Sequence, residues 1–303
     1  MALALNVLPN SFAAWMVAIR PRSLLVAISP VLVGAAMGYQ RVGAIDLLST
    51  VLALAAALLM QLITNLQNDV GYTQRGAEVF GTRIGLPRAT AKGWLGVHQV
   101  RIAIVVLCVV AVMLGLALVA LRGWPVLAMG SASLLAALAY MGGPKPIAYT
   151  PWGEFTVFVF FGLVAVLGTD WLLTGHVGLL TWLAAASIGC LAAAALLVNN
   201  HRDRVHDAQV GRHTFVVLWG AQRSQTLFAI FLTLPLVLQG VMAVAAGHIG
   251  FCLPWLLAPA VWQLHRDFVA CPPGVPFNGI LFRVFQLELG FSALLAIGAV
   301  LAG

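Results

Sequence analysis

The chain has 303 residues, of which 62% are hydrophobic and 8% charged, with a formal net charge of +7. So little polar surface cannot cover a soluble globule of this length, and the apolar runs repeatedly reach the roughly 20 residues that a bilayer crossing requires. The runs are rich in Leu, Ala and Val and lack period-2 alternation, which excludes a barrel of short strands and predicts one all-α polytopic membrane domain over residues 1–303.

Residues 1–10 carry no charge, so the basic region of a cleavable signal is missing and the start is expected to stay. Apolar spans then follow at 23–40, 45–68, 98–121, 124–141, 154–174, 179–198, 223–246, 251–265 and 283–301, predicting a nine-transmembrane-helix bundle. The span 251–265 is short and holds Pro254 and Pro259, which work against an uninterrupted helix. Threading nine spans from a cytoplasmic N-terminus leaves only Arg41 and Arg122 of the 16 Lys and Arg on the outer side. That asymmetry predicts a cytoplasmic N-terminus and an external C-terminus in a bacterial plasma membrane. A basic rim of this kind serves topology and anionic lipid headgroups, so the positive charge calls for no nucleic acid. Cys108, Cys190, Cys252 and Cys271 show no CxxC spacing and read as small buried hydrophobes.

Two of the apolar runs end in polar residues whose position needs a reason. The first ends in Asn65-Leu-Gln-Asn68-Asp69 and continues to Tyr72, Arg75, Gly76 and Glu78; the second ends in Asn199-Asn200-His201-Arg202-Asp203 and continues to His206, Asp207, Gly211 and Arg212. With only nine Asp and Glu in the chain, acids at the mouths of hydrophobic helices are costly without a partner, and a cation is one such partner. On a helix Asn65 and Asp69 are i,i+4 neighbours, as are Asn199, Asp203 and Asp207, so each set presents oxygens on one face. Magnesium favours such oxygen ligands and is commonly held by one or two carboxylates together with substrate phosphates. Arg83, Arg88 and Lys92 follow the first cluster and Arg212 the second, and cations beside hard-metal ligands suggest a diphosphate. Caps and an Asp203 salt bridge with Arg202 and Arg204 are the structural alternatives. His201, His206 and His213 lack a zinc-ligand spacing and read as solvated loop histidines. Trp152, Phe155, Phe158, Phe160 and Phe161 read as packing and interface aromatics, of which a subset would line an apolar channel or face a carbocation.

Taken together, these residues resemble the intramembrane aromatic prenyltransferase superfamily, which includes 4-hydroxybenzoate polyprenyltransferase, heme O synthase and chlorophyll synthase, and within it they are most like the dihydroxynaphthoate branch. The likeness runs from Arg20-Pro21-Arg22-Ser23 and Pro30 to Gly34, through the two Asn/Asp motifs, Arg83-Ile84-Gly85, Lys92-Gly93, Gly153-Glu154 and Phe160-Phe161-Gly162, to Asn278 and Leu281. It implies a polyprenyl diphosphate donor, an aromatic acceptor that is 1,4-dihydroxy-2-naphthoate in menaquinone synthesis, and Mg2+ as cofactor. It further implies that Asn65, Asn68, Asp69, Glu78, Asn199, Asp203 and Asp207 hold metal, with Asp69, Asp203 and Asp207 catalytic, and that Arg83, Lys92, Arg212 and, from the same basic rim, Arg20 and Arg22 neutralise the diphosphate. One departure stands out: Tyr72 occupies the position of the first motif's second Asp, and Glu78 with the Asn residues is expected to complete that side. Prenylation of 4-hydroxybenzoate or a specialised phenol is the alternative within this class, and a secondary transporter the alternative outside it.

Overall fold

The computed structural model describes residues 7–77, 84–272 and 274–303. Glu78 and Arg83 lie outside the described residues. The described chain is helical from end to end: α1 Phe12–Ile19, a 3-10 turn Pro21–Leu24, α2 Leu25–Val42, α3 Leu47–Gln74, α4 Val97–Arg122, α5 Trp124–Met141, a 3-10 turn Ile147–Tyr149, α6 Gly153–Val157, a π-helical segment Phe158–Leu167, α7 Gly168–Thr174, α8 Leu179–Arg202, α9 Arg204–Gln209, α10 Phe215–Ala246, a 3-10 helix Ile249–Leu257, α11 Ala258–Ala270 and α12 Phe277–Leu301. Among the described residues, eight helices are long and apolar enough to cross a membrane. The segment expected at 251–265 differs from the other spans. Pro254 lies inside a 3-10 helix, and Pro259 enters α11 in its first turn, where a missing N–H costs nothing.

α8 is the axis of the bundle. Gly189, Cys190 and the run Ala192 to Ala195 give it a thin profile, so neighbouring backbones approach closely and the helix is the most buried of the eight. The π-helical segment is the tightest of these neighbours: a Cβ built on Gly162 would stand 2.5 Å from the Gly189 Cα. Glycine is therefore required on both sides of that crossing. α3 starts at Asp46, whose carboxylate accepts from the Ser49 N–H at 3.1 Å and the Ser49 hydroxyl at 2.6 Å, an N-cap that fixes where the helix begins. α8 runs four residues past its apolar stretch to Arg202, which keeps Asn199 and Asn200 in its last turn.

Because α8 continues, His201 is not a solvated loop residue. It is buried, shares a hydrogen bond of 2.7 Å with the Ser224 hydroxyl, and packs 4.6 Å from the Phe268 ring and 5.4 Å from the Phe277 ring. His206 is buried as well, and of the three only His213 is exposed. Cys190 is buried and the other three cysteines are partly so, all as free thiols.

At the end of the bundle away from the polar motifs, Asp170 is 0% exposed and holds three elements together. It accepts from Arg41 of α2 and, at 2.7 Å, from the Thr181 hydroxyl of α8. Asp170→Ala is expected to lower thermal stability by about 2–3 kcal/mol, because the Thr181 hydroxyl loses its acceptor and Arg41 its counter-ion. Thermal unfolding in detergent measures this, with ligand binding at the opposite end unchanged.

Candidate active site

The polar tips of α3 and α8 meet. Asn65 and Asn68 from the first and Asn199 and Arg202 from the second line a single cavity of about 450 Å³, although they lie more than 130 residues apart in sequence. Arg20, Arg22, Ser23, Gln61 and Thr64 complete its polar head. Its walls are apolar and come from five directions: Val26 and Pro30 of α2, Ala53 and Ala57 of α3, Leu118 of α4, Leu134 of α5, and Phe160, Phe161 and Val164 of the π-helical segment. Along α3 the lining extends from Asn68 back to Ala53, roughly 22 Å of helix at 1.5 Å per residue. Val112, Leu116 and Leu127 line the same cavity and are also exposed on the outside of α4 and α5, so it opens sideways toward lipid.

The cations at the head are set by backbone geometry rather than by helix periodicity. Arg20 has a left-handed conformation, φ 51° and ψ 69°, in the single residue between α1 and the 3-10 turn. Such a conformation is strained for a residue with a Cβ and persists where surrounding contacts impose it. Asn65 imposes it. Its amide donates to the Ile19 carbonyl at 2.8 Å and to the Ser23 hydroxyl at 2.9 Å, bracketing Arg20 and Arg22. The Arg22 guanidinium rests 5.0 Å from the centre of the Phe282 ring.

Each motif acid is held by protein groups. Asp69 is 0% exposed and faces the turn after the described gap: Oδ2 accepts from the Ala89 N–H at 2.9 Å, while Oδ1 accepts from the Thr90 N–H at 2.8 Å and its hydroxyl at 2.6 Å. Arg202 grips Asp203 with two parallel bonds of 2.9 and 2.7 Å and donates to the Asn278 side-chain oxygen at 2.7 Å. The salt bridge to Arg202 in the structural alternative for Asp203 is therefore present, with Arg202 at the cavity wall. Asp207 accepts from Arg212 at 2.6 Å, and Arg212 also donates to the Tyr72 hydroxyl. Asp203 and Asp207 keep i,i+4 backbone bonds, but α8 stops at Asp203, so their carboxylates turn to different partners.

Of the residues expected at the metal, Asn65, Asn68 and Asn199 line the cavity, and Asp203 is joined to it through Arg202; Asp69 and Asp207 are buried behind it. Of the cations expected at the diphosphate, Arg22 lines the cavity, whereas Lys92 is exposed on the 89–93 turn and Arg212 is buried behind the wall. Phe160 and Phe161 are the aromatic subset that reaches the channel; Trp152 and Phe155 are exposed and pack edge to face at 6.0 Å. Sequence reasoning gave no role to Tyr140, which lines the cavity, or to Glu154, which is buried and accepts from the Asn200 amide at 2.8 Å. The signal for Glu154 was an acid next to Gly153 at the head of an apolar run.

Comparison with known proteins follows this geometry. The family model described as the UbiA prenyltransferase family matches residues 27–270. The chain belongs to the UbiA prenyltransferase family. Within the family it is 34% identical over 226 residues to the 1,4-dihydroxy-2-naphthoate octaprenyltransferase of Escherichia coli, covering 72% of each chain. The enzyme of the same description from Haemophilus influenzae is 28% identical over 292 residues, 94% of each chain. Among solved structures, a UbiA homolog from Archaeoglobus fulgidus bound to GPP and Mg2+ superposes with a TM-score of 0.68 at 15% identity, over 95% of this chain and 99% of that one. At that identity the match speaks for the fold alone.

The family implies a divalent cation, and the donors present decide where one fits. At the cavity head the candidate ligands are amide oxygens, beside the guanidiniums of Arg20, Arg22 and Arg202. The Asn68 Oδ1 is buried without a hydrogen-bond partner, and Asn199 faces the same space. An orphaned buried carbonyl oxygen is a cost that a hard cation relieves. Among the described residues, no three acids, histidines or cysteines gather as a ligand cluster. The cavity head thus offers a cation the Asn68 and Asn199 oxygens, which a diphosphate would supplement; no described carboxylate lines it, Asp203 being held by Arg202. The space around Tyr72 and Asp207 already holds the Arg212 guanidinium.

Proposed function

We propose that this protein transfers a polyprenyl group from an allylic polyprenyl diphosphate to 1,4-dihydroxy-2-naphthoate, the prenylation step of menaquinone synthesis, within a bacterial plasma membrane. The observation that carries this reading is the single cavity with three guanidiniums and two asparagine-bearing helix tips at one end and apolar walls along the rest. Such a shape suits a ligand that is a diphosphate at one end and a hydrocarbon at the other.

Departure of diphosphate from the allylic carbon builds negative charge on the leaving oxygens. Arg20, Arg22 and Arg202 are fixed at that end before the reaction and stabilise the charge as it develops, without reorganising. Mg2+ held by Asn68 and Asn199 together with the diphosphate would supply further stabilisation of the leaving group as a Lewis acid. Asn65 positions Arg20 and Arg22. The apolar walls exclude water that would quench the allylic cation, and Phe160 and Phe161 of that wall supply aromatic rings that would stabilise it. An electron-rich ring carbon of the acceptor then takes the cation, and the ring regains its aromaticity by losing the carboxylate as CO2. The sideways opening between α4 and α5 admits a tail longer than the cavity.

We further assign nine crossings, a cytoplasmic N-terminus and active-site face, and an external C-terminus. The 3-10 helix Ile249–Leu257 and α11 together reach roughly 37 Å if extended along one line, enough for the ninth crossing. The basic rim supports the orientation.

The test is an assay of purified protein with Mg2+, a polyprenyl diphosphate and a panel of acceptors. Pyrophosphate release with a prenylated naphthalene product is expected, and preference for 4-hydroxybenzoate or another phenol would overturn the acceptor assignment. Substrate flux in liposomes without product would overturn the reaction.

A further inference from the structure

Four polar side chains of α3 line the cavity, Gln61, Thr64, Asn65 and Asn68, and their spacing of three and four residues puts them on one stripe of the helix. Gln61 is the innermost of them. It stands roughly 10 Å along the helix from Asn68, at 1.5 Å per residue, and beyond it the α3 lining turns to Ala57, Ala56 and Ala53. An amide at the edge of an apolar wall needs a reason, and its hydrogen bonds supply one.

Backbone carbonyls fix the orientation of each group here, because a carbonyl accepts and never donates. Asn65 turns its NH2 group to the Ile19 carbonyl at 2.8 Å, so the oxygen Oδ1 is what it shows elsewhere. The Ser23 hydroxyl donates its proton to the Arg20 carbonyl at 2.9 Å. Asn65 Oδ1 and Ser23 Oγ are therefore both acceptors toward Gln61, which meets them with its NH2 group at 3.3 and 3.2 Å. Both of its N–H bonds are then used, and its Oε1 accepts from no group among the described residues. Thr64 likewise donates its hydroxyl proton to the Met60 carbonyl at 2.8 Å. The inner end of the stripe thus presents to the cavity two acceptor oxygens, Gln61 Oε1 and Thr64 Oγ1, and no free N–H or O–H.

Such a surface in a largely apolar wall selects a ligand that has protons to donate, since an acceptor left unmatched in a filled cavity is costly. An ionised diphosphate carries acceptors alone, and a prenyl tail carries no polar group. A ring hydroxyl carries an O–H. We propose that Gln61 and Thr64 form the hydroxyl-recognition subsite of the aromatic acceptor, whose ring lies against the inner end of the α3 stripe and donates a ring O–H to Gln61 Oε1. The proposal rests on the prenyl-transfer reading and deepens it by assigning the acceptor's subsite and the feature it recognises. The same bond assists the reaction. As the ring carbon attacks, the hydroxyl oxygen releases electrons into the ring and its O–H becomes a stronger donor, so the bond to Gln61 tightens in the transition state while the proton stays on the hydroxyl. Ser23 and Asn65 hold Gln61 in this orientation and also bracket Arg20 and Arg22, so one network aligns the acceptor with the guanidiniums at the leaving diphosphate.

The test measures binding by anaerobic calorimetry on full-length protein in detergent, with Mg2+ and a non-hydrolysable prenyl thiodiphosphate present. The ligands are 1,4-dihydroxy-2-naphthoate and the two monohydroxy-2-naphthoates that lack one or the other of its hydroxyls. Wild type is expected to bind the parent about 3- to 10-fold more tightly than at least one analogue, the worth of one neutral hydrogen bond. Gln61→Met keeps the bulk of the side chain and removes its oxygen. It is expected to lose that preference with its affinity for the thiodiphosphate unchanged, since Asn65 keeps its bonds to Ile19 and Ser23. A preference retained in Gln61→Met, or an equal fall in affinity for the thiodiphosphate, would overturn the proposal while leaving prenyl transfer intact. A wild type that binds the thiodiphosphate but none of the naphthoates would overturn the acceptor assigned above and this subsite with it. If Gln61→Met does not fold, wild type decides alone: equal affinity for the parent and both analogues overturns the proposal.

Discussion

Arg202→Ala is expected to lower kcat/KM for the polyprenyl diphosphate by about 10²–10³, the loss typical of removing one preorganised donor from developing charge. Arg202 does two things at the cavity head. It brings a guanidinium to the wall, and it satisfies both oxygens of Asp203 while reaching Asn278. Truncation removes a cation from the diphosphate and leaves a buried carboxylate without its fork. Arg202→Lys restores charge but not two parallel bonds, so it is expected to recover part of KM and little of kcat. Steady-state kinetics on both variants checks this, and equal recovery of both constants would show that charge alone matters.

The second large effect concerns Asp69. Its carboxylate takes three hydrogen bonds from residues 89 and 90, so Asp69→Ala leaves two buried N–H groups without an acceptor. At about 1–3 kcal/mol for each unsatisfied donor, a loss of roughly 2–6 kcal/mol in stability is expected, along with loss of turnover as the turn between Arg88 and Lys92 is released. A residue serving only as a metal ligand would behave otherwise, since its removal relieves repulsion among acids. Thermal unfolding of metal-free Asp69→Ala separates the two. An unchanged or raised midpoint would contradict the anchoring role.

Much of this arrangement was legible in the residues. Polar side chains where apolar runs end located both helix tips, because a buried acid in so apolar a chain demands a partner. Asn278 and Leu281 were marked by resemblance, and they do meet the site: one accepts from Arg202, the other lines the cavity. What spacing could not give is direction. The i,i+4 rule places Asn65 with Asp69 on one helical face, yet a turn 20 residues on takes the acid and leaves the amides to the cavity. Arg20 gains its place through a left-handed backbone that no periodicity announces. His201 was misjudged because α8 runs one turn further than its apolar stretch, which turns a loop residue into a core one. Pro254 warned of a broken span but not that it would be a 3-10 helix.

The central claim is that Asn68 and Asn199 act on one ligand. A double-mutant cycle on the affinity for a prenyl thiodiphosphate, using Asn68→Ala, Asn199→Ala and the pair in calorimetry with Mg2+ present, tests it most directly. A coupling of about 1 kcal/mol or more is predicted, since each truncation disturbs the cation and diphosphate that the other side chain also touches. Losses that add to within about 0.5 kcal/mol would mean two independent sites and would contradict the account.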